Sequence, residues 1–137
     1  MIRKKPQRTL WLVQLHYVGF VALWVAWTVA LLAPVPKQTA SVVLPTDEAK
    51  FWFGKSLHVC TYAFLTIAGI SLPWSRKQRL GLLLALFLHG VATEILQQFV
   101  PGRTGSVRDV LLDSAGILLG WAILSWWVMR RNRARRS

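Results

Sequence analysis

Four stretches of the chain are nearly free of charge. Residues 10–32 contain no Asp, Glu, Lys or Arg; 56–75 add only His58; 80–102 hold only His89 and Glu94; 110–129 hold only Asp113. Each matches the roughly 20 apolar residues that, at about 1.5 Å rise per residue, cross a hydrocarbon core. A buried helix of a water-soluble bundle would show an apolar stripe and a charged outer face, whereas these stretches are apolar nearly all round. The pattern predicts an all-α, polytopic membrane protein: a four-transmembrane-helix bundle with helices at about 10–33, 50–74, 80–100 and 109–129. These form a single domain, 10–129, between a basic N-terminus, 1–9, and a basic tail, 130–137.

Composition agrees. Hydrophobic residues make up 54% of the 137 positions, and seventeen Lys and Arg outnumber five acidic residues for a formal charge of +12. Such basicity would point to nucleic acid if the cations formed one face or groove. They form clusters between the apolar stretches instead: Arg3, Lys4, Lys5 and Arg8; Arg76, Lys77 and Arg79; Arg130, Arg131, Arg133, Arg135 and Arg136. With four spans, these twelve lie on one side and five (Lys37, Lys50, Lys55, Arg103 and Arg108) on the other. The positive-inside rule then places both termini in the cytoplasm and accounts for the charge without a nucleic-acid partner. The first apolar run is longer than the ~7–15 residues of a cleavable signal and reads as a retained helix. The one cysteine, Cys60, excludes an internal disulfide.

Two loops fall on the outer side. The first runs from Ala33 to about Gly54 and carries Pro34, Pro36 and Pro45; Thr46-Asp47-Glu48 then reads as a helix start, a capping oxygen followed by acids in the first turn. The second, "VPGRTGSVRD", is short and turns at Pro101-Gly102.

Residue counting brings polar groups to one depth. Lys55, His58 and Tyr62 share one face near the outer end of the second helix. Glu94 lies in the outer third of the third helix, at about 1.5 Å per residue from its inner end, with Gln97 and Gln98 one turn further out. Asp109 and Asp113 share a face of the fourth. An intramembrane carboxylate costs on the order of 2.5–3.5 kcal/mol at the centre of a spanning helix, so both Glu94 and Asp113 should face partners rather than lipid. Arg103 and Arg108 are the nearest cations in sequence, and the turn is expected to aim Arg103 over the cluster. Gly116 and Gly120 continue the face of Asp109 and Asp113 and permit close helix approach, within the chain or against a second copy. His16 and His89 have no acid beside them and read as packing or hydrogen-bonding residues.

The motifs "KSLHVCTYAFL", "EILQQFVPGRTGSVRD" and "DVLLDSAGILLG" resemble, in order and spacing, the VanZ-like family of small bacterial membrane proteins. The likeness runs from about Lys55 to Gly120. Gly54-Lys55 departs from the family's usual Asp-Lys pair, and Asp113 stands where the family usually has Asn. The resemblance implies a bacterial cytoplasmic (inner) membrane protein of the cell envelope, similar to proteins that lower susceptibility to the glycopeptide teicoplanin. It implies no reaction.

Two function classes follow. In one, the protein binds or acts on a lipid-linked phosphate or glycan, or a lipid headgroup, at the outer leaflet: His58, Glu94 and Asp109 would move and orient protons, and Lys55, Tyr62, Gln97, Arg103, Ser106 and Asp113 would hold the ligand. In the other, the same network is structural and the protein is a membrane scaffold or binding protein. No cofactor motif is present; a divalent cation held by His58, Glu94 and Asp109 is a variant of the first class. Asp109, at the interface beside Arg103 or Arg108, is expected to act as a charge, and Asp113 to tolerate replacement by Asn, which shares its donor and acceptor capacity.

Overall fold

The computed structural model describes residues 7–34 and 46–135, with side chains from Trp11 onward in the first stretch. Pro36, Lys37 and Pro45 of the first loop, and the terminal cations Arg3, Lys4, Lys5 and Arg136, lie outside the described residues. Among the described residues four helices follow in order: α1 (Gln7–Leu32), α2 (Asp47–Ile70), α3 (Arg76–Gln97) and α4 (Val107–Ala134). Three are long and apolar enough to cross a membrane: α1 from Trp11 to Leu32, α3 and α4. α2 falls short of the four expected because it gives positions to Lys55, His58 and Tyr62 and stops at Ile70.

Local chemistry sets the helix ends. Thr46 Oγ1 accepts the Ala49 N–H at 3.1 Å, so α2 starts at Asp47, three residues before the expected 50. Ser75 and Gln78 form a reciprocal capping box, which makes Arg76-Lys77-Gln78-Arg79 the first turn of α3 rather than a loop before residue 80. Ser106 caps α4. That helix runs on to Ala134, past the expected end at 129, as Arg130 and Arg131 stack on Trp126 and Trp127 with guanidinium-to-ring distances of 4.7 and 5.3 Å. Basic residues also complement the negative end of the helix dipole.

The helices alternate in direction, so α2 runs parallel to α4 and α1 parallel to α3. The parallel pair α2 and α4 shares the most extensive interface. Glycines make that closeness attainable: a methyl at Gly116 would lie 2.5 Å from the Val59 carbonyl oxygen, and one at Gly120 would lie 2.5 Å from that of Ala63. The face expected to pack helices thus packs against α2 of the same chain.

Phe20, Tyr62, Leu65, Ile70, Leu72, Leu82, Leu86 and Ile117 form a small apolar core. Outside it, large apolar side chains such as Val18, Phe64, Leu88 and Leu118 point away from the bundle, each more than half exposed. An exterior of this kind suits hydrocarbon, not water. Cys60 also lies on this exposed surface.

Candidate functional site

The parallel run of α2 and α4 aligns two polar faces in register. Lys55 meets Asp109, and one turn deeper His58 meets Asp113. Lys55 Nζ donates to Asp109 Oδ1 at 2.5 Å; the other carboxylate oxygen accepts the Ser106 hydroxyl at 3.0 Å. Ser106 in turn accepts the Asp109 N–H at 3.3 Å, so the helix cap and the ion pair form one unit. Asp109 therefore pairs with Lys55, not with Arg103 or Arg108 as the sequence leads one to expect, because the first turn of α4 faces α2.

Deeper in, His58 Nδ1 donates to Asp113 Oδ1 at 2.8 Å and lies 3.9 Å from Glu94 Oε1. These three residues are 9%, 1% and 3% exposed for His58, Asp113 and Glu94 respectively. Glu94 reaches from α3, with Oε2 held by the Ser106 backbone N–H at 2.8 Å. Glu94 Oε1 and Asp113 Oδ2 are buried without a hydrogen-bond partner among the described residues. The turn before α4 presses on this end of α3: a side-chain carbon at Gly105 would collide with the Glu94 carbonyl.

A second chain of hydrogen bonds adjoins the first. Tyr62, fully buried, donates its hydroxyl to His89 Nδ1 at 2.8 Å. His89 Nε2 donates to Thr28 Oγ1 at 2.9 Å, and the Thr28 hydroxyl donates to the Trp24 carbonyl at 2.9 Å. This order of donors requires the tautomer with hydrogen on Nε2. A methyl at Gly90 would meet both Asp113 Oδ2, at 3.0 Å, and the Tyr62 hydroxyl, at 3.4 Å, so the two chains pass each other at this glycine.

The remaining expected site residues serve α1. Gln97 Nε2 donates to the Leu31 carbonyl at 3.1 Å. Arg103 does not sit over the cluster. Its Nε and Nη2 donate to the carbonyls of Ala33, at 3.2 Å, and Ala30, at 3.0 Å. A cation there satisfies carbonyls that a helix end leaves unpaired.

A family model described as VanZ/LLP1 matches residues 4–129. The chain belongs to the VanZ/LLP1 family. No curated protein and no solved structure matches it. The match takes in the whole of α1, α2 and α3 of this VanZ/LLP1 chain and α4 as far as Met129. It therefore includes every residue of both hydrogen-bond chains.

Of the nine expected site residues, the structure of this VanZ/LLP1 protein brings His58, Glu94 and Asp113 into one buried group and Lys55, Ser106 and Asp109 into a second beside it. Tyr62 joins the His89 chain, and Gln97 and Arg103 bind α1. A metal set of His58, Glu94 and Asp109 is not what assembles; Asp113 takes the third place. Sequence reasoning missed the partnership of Tyr62, His89 and Thr28. One signal was available for α3: Leu82, Leu86, Gly90, Thr93, Glu94 and Gln97, all buried, recur at three- and four-residue spacing. That face marks Gly90 and Thr93 as inward-pointing, with His89 at its edge.

Proposed function

We propose that this is a multi-pass protein of the bacterial cytoplasmic membrane, with four crossings and both termini in the cytoplasm, that binds a phosphate-bearing lipid or lipid-linked glycan of the cell envelope at the outer leaflet. One observation carries the reading. A groove of about 350 Å³ opens at the end of the bundle where α2 and α4 begin, lined by Phe51, Trp52, Lys55, Arg108, Leu111 and Leu112. Two cations border a groove whose own surface is almost wholly apolar, an arrangement that suits an acyl or isoprenoid chain in the groove with its phosphate at the edge. Phe51 and Trp52 are exposed there, as aromatic residues at a headgroup layer are. The split of the basic residues supports the orientation.

The anion contact thus belongs to Lys55 and Arg108, and Arg103 supports the groove only by fixing α1. Lys55 also ties the groove to the buried groups through Asp109. A catalytic version of the reading draws on the His58–Asp113 hydrogen bond, since a carboxylate that orients an imidazole can equip it for proton transfer. Kinship with VanZ proteins makes reduced glycopeptide susceptibility, to teicoplanin in particular, the phenotype to measure.

Native mass spectrometry of the protein released in mild detergent, with lipid identification, tests the binding reading. A stoichiometric anionic or isoprenoid-phosphate lipid is expected, lost from the double variant Lys55→Ala, Arg108→Ala. Retention of no such lipid, or equal retention by the double variant, would overturn it.

A further inference from the structure

Two carboxyl groups, those of Glu94 and Asp113, and one imidazole, that of His58, meet in the interior of the bundle. Lys55 is engaged by Asp109, Arg103 by the carbonyls of α1, and Arg108 is exposed. Among the described residues, His58 is the basic side chain that pairs with the two inner carboxylates. One oxygen of each, Glu94 Oε1 and Asp113 Oδ2, is buried with no hydrogen-bond partner among the described residues. Buried acceptors left in this state are costly, and inside a membrane the cost is not relieved by bulk water.

The spacing is that of ligands around one ion. A single donor atom from each residue lies within 4.8 Å of the others. Nδ1 of His58 is 2.8 Å from Asp113 Oδ1 and 3.9 Å from Glu94 Oε1. Nitrogen and oxygen ligands about 2.0–2.2 Å from a metal stand roughly 3–3.6 Å apart in tetrahedral or octahedral arrangements, so the set reaches coordination distance once its wider edges draw in by up to about 1 Å.

We propose that His58, Glu94 and Asp113 form a divalent transition-metal site, one imidazole nitrogen and two carboxylates holding an ion of the Mn²⁺, Fe²⁺ or Zn²⁺ class within the bundle. An ion of charge +2 neutralises the two carboxylates where lipid and apolar side chains surround them. The imidazole ligand disfavours Ca²⁺, which takes six to eight oxygens, and a mixed nitrogen and carboxylate set suits the ions named. In the bound form the ion takes the place of the proton between His58 Nδ1 and Asp113 Oδ1.

The surrounding residues hold the ligands in place. The Ser106 N–H binds Glu94 Oε2 and leaves Oε1 for the site. Gly90 keeps a side chain away from Asp113 Oδ2. Three protein ligands leave a coordination position for water or a ligand oxygen. The inference does not rest on lipid binding, which uses Lys55 and Arg108.

The test is metal binding by the full chain in mild detergent, free of any affinity tag, stripped with chelator and titrated with Mn²⁺ or Zn²⁺. One ion per chain is expected. His58→Ala, Glu94→Gln and Asp113→Asn should each weaken binding by more than about tenfold, the least expected even for loss of an outer-shell partner. Asp47→Asn, an exposed carboxylate on the first turn of α2 away from the cluster, should bind as the wild type does. Absence of stoichiometric binding, or affinity unchanged in all three ligand variants, would overturn the proposal. Should a ligand variant fail to fold, pulsed electron paramagnetic resonance of Mn²⁺ in the wild type decides: imidazole nitrogen coupling is expected, and its absence refutes the site. Lipid retained by a chain that binds no metal would sink this inference alone, whereas metal bound by a chain that retains no lipid would leave it standing.

Discussion

His58 on α2 and Asp113 on α4, fifty-five residues apart in sequence, are joined by a 2.8 Å hydrogen bond that is closed off from solvent. The bond exists because the two helices run parallel and glycines further along α4 let them touch. It ranks the two aspartates of α4 in the opposite order to the one the sequence suggests. Asp113→Asn should be the more damaging for envelope phenotype and for stability, the latter by about 1.5–3 kcal/mol, as expected for a hydrogen bond to a charged group. Asp109→Asn should cost less, since its partner Lys55 keeps access to solvent. Both variants are to be compared at equal expression by thermal unfolding in detergent and by drug susceptibility. A larger loss in Asp109→Asn would restore the order read from sequence.

The glycine contacts predict a sharp positional effect. Gly116→Ala and Gly120→Ala each drive a methyl into a carbonyl of α2 and should destabilise the protein by about 1–3 kcal/mol. Gly54→Ala, with nothing within 4 Å of the added carbon, should be neutral or slightly stabilising. Thermal midpoints of the three variants measure this, and equal midpoints would mean that α2 and α4 do not touch along this face.

Arg103→Ala should act on α1. Loss of its two bonds to the Ala30 and Ala33 carbonyls is expected to lower stability by about 1–3 kcal/mol and to speed amide hydrogen exchange near residues 30–34. Bound lipid should survive. If lipid is lost while exchange stays as it was, Arg103 is an anion receptor after all.

Reporter fusions give the orientation. A fusion after Arg108 is expected outside the cell and one after Ser137 inside. The reverse result at either position would remove the twelve-to-five division of basic residues as a guide to this chain and would place the groove at the wrong leaflet for an envelope precursor.

By itself the sequence determined that the chain is helical and suited to a membrane, because apolar content over some twenty residues is a local property that needs no partner to be read. It also marked Thr46 as a helix cap, which depends on a neighbour three residues away. It placed His58, Glu94, Asp109 and Asp113 at similar depth, since helical rise converts residue number into distance. Partnership was not legible in this way. Depth says nothing about rotation, so Asp109 could have faced Arg103, Arg108 or Lys55, and only the close approach of α2 and α4 selected Lys55. Arg103 looked like a spare cation because the carbonyls it binds lie some seventy residues earlier. His89 looked solitary because its partners Tyr62 and Thr28 sit on two other helices. Hydrogen bonds act over about 3 Å, and which groups come that near is decided by how helices rotate and pack, a property of the whole bundle.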